Sequence, residues 1–201
     1  MLKKTSFAIG LQDIREALGG LSLPFMLAWQ DISIRYKRSR VGQFWLTLNT
    51  LIYISSLGVI FGTLFRLDLH EYLPNICAAV LTWNFISACL SEGSLAFVSS
   101  ENIILQVKIP FSSHIFSIIF RNMIVFFHNI LIFPVVAIFV GYKLNFLIFL
   151  SMLGLAFVVV NLAWIAIILA VFCTRFRDLH QVIVSFLQIM FYATPVVWNA
   201  K

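Results

Sequence analysis

The apolar positions of this chain fall in long blocks rather than alternating with polar ones, and the blocks predict its elements. A first uncharged run covers residues 43–65, close to the roughly 20 residues a helix needs to cross a hydrocarbon core. A second starts near 73 and continues into the nineties, where Glu92 and Gly93 interrupt it. A third covers 114–140 with Arg121 and His128 inside it, a fourth 145–172, and a fifth 182–198, broken near its end by Thr194-Pro195. Polar connections at 66–74, 99–113 and 174–180 separate these runs. The pattern predicts an all-α polytopic membrane protein with five spans, because helices satisfy their own backbone hydrogen bonds in lipid.

Residues 1–40 are too charged to span. Phe25, Trp29, Ile32 and Tyr36 recur at helical spacing while Gln30, Asp31, Lys37 and Arg38 take other faces, the pattern of an amphipathic helix lying in the membrane interface. Asp31 and Arg35 stand four positions apart and are placed to pair. Gly19-Gly20 and Pro24 are expected to divide this region into two helical pieces. The expected organisation is an interfacial segment at 1–40 followed by a transmembrane domain at 41–201.

Composition sharpens this picture. The chain is 61% hydrophobic and 11% charged, with 21 phenylalanines, far outside the range of soluble domains. The net charge of +6 could suit nucleic acid or an anionic membrane surface, but most cations flank the apolar runs, which favours topology and leaves nucleic acid out of the expected partners. Cys77, Cys89 and Cys173 lie in or at the end of apolar runs without Cys-x-x-Cys or Cys/His spacing, so they read as small buried hydrophobes and no metal site is expected. Residues 1–20 lack the apolar stretch of a cleavable signal peptide.

Charge also orients the chain. With the N terminus inside, the inner segments carry Lys3, Lys4, Arg15, Arg35, Lys37, Arg38, Arg40, Lys108, Arg175 and Arg177, against Arg66, Lys143 and Lys201 outside. This asymmetry satisfies the positive-inside rule and predicts a cytoplasmic N terminus. Five spans then leave the other end outside.

Ionisable groups inside a span are costly and face the bundle interior or water. Glu92 lies just before the inner end of span two and Arg121 just after the start of span three, so an ion pair between them is expected. It would either staple two helices or belong to a transport path. His128, one heptad beyond Arg121, shares its face; a proton relay and a simple hydrogen-bonded histidine are both compatible with that placement.

The chain has no GxxxxGK[ST], GxSxG or HExxH sequence and no carboxylate-rich loop, so no catalytic residue, cofactor or bound nucleotide is expected. A polar filter or repeated pore motif is also missing. What remains is a transport subunit driven from outside itself.

Three stretches then resemble a known family. The run W-x-D-I-x-x-R-Y-K-x-S-x-x-G-x-x-W from Trp29 to Trp45, the connection ENIILQVKIP at 101–110, and FRDLHQVIVSFLQIMFYATPVVW at 176–198 resemble ABC-2 type permeases. The match is nearest to exporters of lipid-linked polysaccharide such as O-antigen, capsule and teichoic acid. The resemblance implies a homodimer of six-helix permeases bound to two copies of a separate ATPase, in the bacterial inner membrane. The family pattern continues past Thr194-Pro195 with a re-entrant segment and a sixth helix, so this chain is expected to be C-terminally truncated.

The resemblance also implies roles. Asp31, Arg35, Tyr36 and Lys37 would lie on the inner face near the ATPase. Glu101, Asn102, Lys108 and Pro110 would belong to the coupling segment, with Arg175, Arg177 and Asp178 bracing it; topological anchoring by charge is the competing explanation for each set. Phe44, Trp45, Tyr53, Phe61 and Phe65 on span one, and Phe186, Phe191 and Tyr192 on span five, are the candidate channel aromatics. The sugar polymer, on a lipid pyrophosphate attracted by Arg35, Lys37, Arg38 and Arg40, would enter at the inner leaflet. The rival readings are an ABC-2 exporter of a drug or small lipid, and an intramembrane glycan-modifying enzyme built around Glu92, Arg121 and His128.

Overall fold

The computed structural model describes residues 6–37, 44–66, 68–141 and 148–196; Lys3, Lys4, Arg38, Arg40, Lys143 and Lys201 lie outside them. Among the described residues the chain is helical throughout and has no strand. The N-terminal region forms α1 (Ser6–Gly19) and α2 (Ser22–Tyr36). The division falls at Gly20-Leu21. Pro24 does not break the chain as expected but sits in the first turn of α2, where its missing N–H removes no helical bond.

Helix α3 (Phe44–Leu64) is the first membrane-length element, and α4 (Leu69–Ser94) the second. The connection between them is shorter than the polar residues 66–74 suggest. Asp68 caps α4 by accepting the His70 N–H at 2.9 Å, which starts the helix four residues after Phe65. Glu92 and Gly93 do not interrupt α4 either. A Cβ at residue 93 would stand 2.9 Å from the Ala166 Cβ of the neighbouring helix, so the glycine allows close approach rather than a break.

Two short helices, α5 (Ala96–Ser99) and α6 (Glu101–Gln106), join α4 to the third span. That span is divided into α7 (Phe111–Asn129) and α8 (Ile132–Val140). Pro134 explains the division: it cannot donate to the carbonyl of Ile130, and its ring crowds that carbonyl. Helix α9 (Ile148–Arg175) is the longest, and α10 (Leu179–Ala193) ends the described chain. α10 starts and stops earlier than the apolar run at 182–198 suggests. Thr194 is extended, with ψ 152°, because the residue before Pro195 is excluded from the helical region. Among the described residues the result is four long apolar helices plus a shorter one of 15 residues, about 22 Å in length.

Helix α4 is the hub, packed against α3, α7, α8, α9 and α10. Its buried Ile76, Val80, Phe85 and Cys89 meet Ile54 of α3, Ile115 and Phe126 of α7, and Leu162 and Ala166 of α9. Gly58 and Gly62 form a Gly-x-x-x-Gly face on α3 against Leu73 and Leu69 of α4, and a Cβ at either position would force the facing leucine to shift its Cδ2. Such faces let helices associate through van der Waals contact where lipid supplies no hydrophobic drive.

Both N-terminal helices, α1 and α2, dock on α7. The first turn of α7 has no side-chain cap of its own; Asp13 of α1 supplies one from a distance. Its carboxylate accepts the Phe111 N–H at 2.8 Å, the Ser112 N–H at 2.9 Å and the Ser112 hydroxyl at 2.7 Å. These are orphan donors at the positive end of a helix, where an anion is favoured.

Candidate functional site: a polar track through an apolar bundle

Arg121 lies ten residues into α7, about 15 Å along its axis. Its Nη2 donates to Glu92 Oε2 of α4 at 2.5 Å, while Nη1 donates to Asp31 Oδ2 of α2. Asn122 adds a second donor to Glu92 Oε2 at 2.7 Å, and Arg35 Nε stands 3.5 Å from Asp31 Oδ2. The guanidinium is largely buried, with 13% of its side chain exposed. A planar fork with five donors can serve two carboxylates at once, as an ammonium cannot. The structure thus brings Glu92 and Arg121 together and adds Asp31, which turns towards α7 rather than outward. His128 does not join this cluster: its ring lies edge-on to Phe44, centroids 5.5 Å apart, and its Nε2 has no hydrogen-bond partner among the described residues.

Two cavities border the cluster, and a third adjoins the second of them. A cavity of 450 Å³ touches Gln30, Asp31, Arg35, Glu92, Arg121 and the buried His114. A second of 270 Å³ shares Arg35, Glu92 and Arg121 with it and continues to Thr50 and Asn84. Thr50 and Asn84 in turn border a third cleft of 780 Å³ between α3, α4 and α10. Successive cavities share walls, so polar groups track from the α2–α6 end into the middle of the bundle.

The third cleft has a different chemistry from the other two. Rings of Tyr53, Trp83, Phe191 and Tyr192 alternate there with the amides of Asn49, Asn84 and Gln188 and the hydroxyls of Ser87 and Ser91. Trp83 and Phe191 stand 6.1 Å apart, and Phe191 and Tyr192 5.1 Å apart in edge-to-face contact. A hydrogen bond between Ser94 Oγ and His180 Nδ1, 2.8 Å, ties the start of α10 to the end of α4 and sets the register of this wall.

Of the candidate channel aromatics, Tyr53, Phe191 and Tyr192 line the cleft. Phe44, Trp45, Phe61, Phe65 and Phe186 do not; Phe61 and Phe65 stack on each other along α3 at 5.9 Å, and Phe186 is exposed on α10. Trp83 and the amide residues were not singled out from the sequence. A local signal existed: Asn84, Ser87 and Ser91 follow at steps of three and four and so form one polar stripe on an apolar helix.

The remaining candidates gather at the opposite end of the track. Glu101 and Asn102 open α6 and are exposed, as is Lys108; Pro110 immediately precedes α7. Arg175 closes α9, Arg177 is exposed and Asp178 precedes α10. Glu101 and Arg177 border one apolar groove of 1040 Å³ together with Ile9 and Asp13 of α1. Tyr36 closes α2, and Lys37 after it is exposed.

Comparison with known proteins agrees with this architecture. The profile of the ABC-2 type transporter family matches residues 24–201. Two O-antigen export system permease proteins RfbA of Klebsiella pneumoniae are 22% and 24% identical over 174 residues, 84% of this chain and 66% of each relative. The protein of the same name from Myxococcus xanthus is 22% identical over 189 residues, 92% of this chain and 71% of the relative. The chain therefore spans just under two thirds of the length of the Klebsiella relatives. With every described span inside the matched region, the chain belongs to the ABC-2 type transporter family.

Proposed function

We propose that this chain is the membrane permease subunit of an ATP-driven exporter that moves lipid-linked polysaccharide across the bacterial cytoplasmic membrane. One observation carries the reading: Asn49, Asn84 and Gln188 are exposed on predominantly apolar helices, around a ring-lined cleft. Facing lipid, each amide would forgo its hydrogen bonds at a cost of several kcal/mol. Facing a hydrated glycan, the amides meet hydroxyls and the rings meet the apolar faces of sugars. The printed names of the relatives, O-antigen export permeases, support the same cargo class.

Membership of the ABC-2 family supports a separate nucleotide-binding ATPase as the site of hydrolysis. The N terminus is cytoplasmic in this reading, which places α6, Lys108, Arg175 and Arg177 on the side where ATP is available. Glu101, Asn102, Lys108 and Pro110 form the coupling segment, braced by Arg175, Arg177 and Asp178, while Arg35 and Lys37 face the inner headgroups. Two copies, with the cleft-bearing faces of α3 and α10 turned towards each other, enclose the path. Rotation of α6 by the ATPase is passed to α7 at Pro110, and through Arg121 to α2 and α4.

Tagging the chain at its native locus, extracting it in mild detergent and identifying co-purifying proteins by mass spectrometry tests this. The reading expects a stoichiometric ATPase carrying a P-loop, and loss of surface polysaccharide when the gene is deleted. Recovery without an ATPase, together with unchanged surface polysaccharide, would overturn it.

A further inference from the structure

We propose that the cleft between α3, α4 and α10 is a subsite for uncharged sugar residues, selected against acidic ones. The proposal deepens the function above and rests on it. Among the described residues the wall of this cleft includes no Asp, Glu, Lys, Arg or His. The two cavities beside it do: Glu92 and Arg121 border both, and Asp31 and His114 border the farther one. Charge is thus confined to one end of the track and stops at Asn84.

The consequence is electrostatic. A uronate or phosphate seated against these rings and neutral amides would give up part of its hydration without meeting a cation, a loss that a neutral sugar does not incur. A neutral hexose carries hydroxyls that both donate and accept, as a carboxamide does. No hydrogen bond within the described protein engages the side-chain amides of Asn49, Asn84 and Gln188, which leaves both functions of each open. The amides come from three different helices, so they can reach hydroxyls on several edges of one ring. Trp83 and Tyr53 supply faces for the sugar's C–H surface, and the volume of 780 Å³ is within the range of small-molecule sites.

The test uses the full chain with its native partners in nanodiscs. Intrinsic tryptophan fluorescence is titrated with neutral hexasaccharides built from glucose, mannose or galactose, and with hexagalacturonate of equal ring number. The expected result is a saturable change with at least one neutral hexasaccharide and affinity at least about 10-fold weaker for the acidic one. Trp83→Phe should remove the signal. Asn84→Ala, at an exposed position, should weaken binding roughly 5-fold, the worth of one net hydrogen bond. Equal or tighter binding of hexagalacturonate, no saturable change with any neutral sugar, or a signal unaffected by both substitutions would overturn the subsite. A co-purifying ATPase with export of an acidic polymer would overturn the neutral preference while leaving the exporter reading intact. Neutral-sugar binding without an ATPase would do the reverse.

Discussion

Arg121 on α7 is tied to Asp31 on α2, 90 positions earlier in the chain, and the same guanidinium holds Glu92 on α4. One cation therefore links the N-terminal helix α2 to two membrane helices. Breaking such a partly buried cluster from its centre leaves two carboxylates facing each other. Arg121→Ala is expected to cost about 2–4 kcal/mol, read as a lowered unfolding midpoint in detergent. Glu92→Gln should cost less, because Arg121 keeps Asp31 and Asn122 can still donate to the amide oxygen. Equal losses for the two variants would contradict the shared-guanidinium account.

Asp13 offers a second check on how the N-terminal region is held. Asp13→Ala removes the acceptor from three donors at the start of α7. Loss of a helix cap is worth about 1 kcal/mol, and faster hydrogen exchange at the Phe111 and Ser112 amides should report it. Asp13→Asn should recover part of the protection, since its carbonyl still accepts.

The α3–α4 contact is steric. Gly58→Val and Gly62→Val each place side-chain atoms where Leu73 and Leu69 already lie, and overpacking of this kind costs about 1–3 kcal/mol. A Leu73→Ala change made together with Gly58→Val should restore part of the loss, because the added methyls then occupy vacated space. Independent, additive losses would show that the two side chains do not meet.

The membrane architecture was legible because lipid imposes a length and an apolar composition on every span. Element ends were less so. Asp68 and Pro195 moved the start of α4 and the end of α10 by rules of capping and pre-proline geometry, which act on a few residues and not on the hydropathy of a window. Pro134 split the third span for the same reason. The sequence places Glu92 and Arg121 at similar depth, but nothing local adds Asp31, whose nearest charged neighbour along its own helix is Arg35. Asp13 was equally silent: a cap supplied across the fold has no spacing to read. At the cleft, phenylalanine was too abundant to discriminate, with 21 in the chain. Rare uncharged polar residues such as Asn84 and Gln188 are the better signal in a membrane helix, because each needs a partner.

The central claim is that the polar-aromatic cleft meets water and cargo while other exposed faces of the bundle meet lipid. Site-directed labelling tests it most directly, against a background of Cys77, Cys89 and Cys173, all buried. Ser87→Cys, on the cleft wall, and Phe139→Cys, 91% exposed on α8, are each treated in intact, exporting cells with a membrane-impermeant maleimide. The account predicts that the cysteine at position 87 is labelled and that at 139 is not, with labelling at 87 slowed when export is arrested. Labelling at 139 with none at 87 would contradict it.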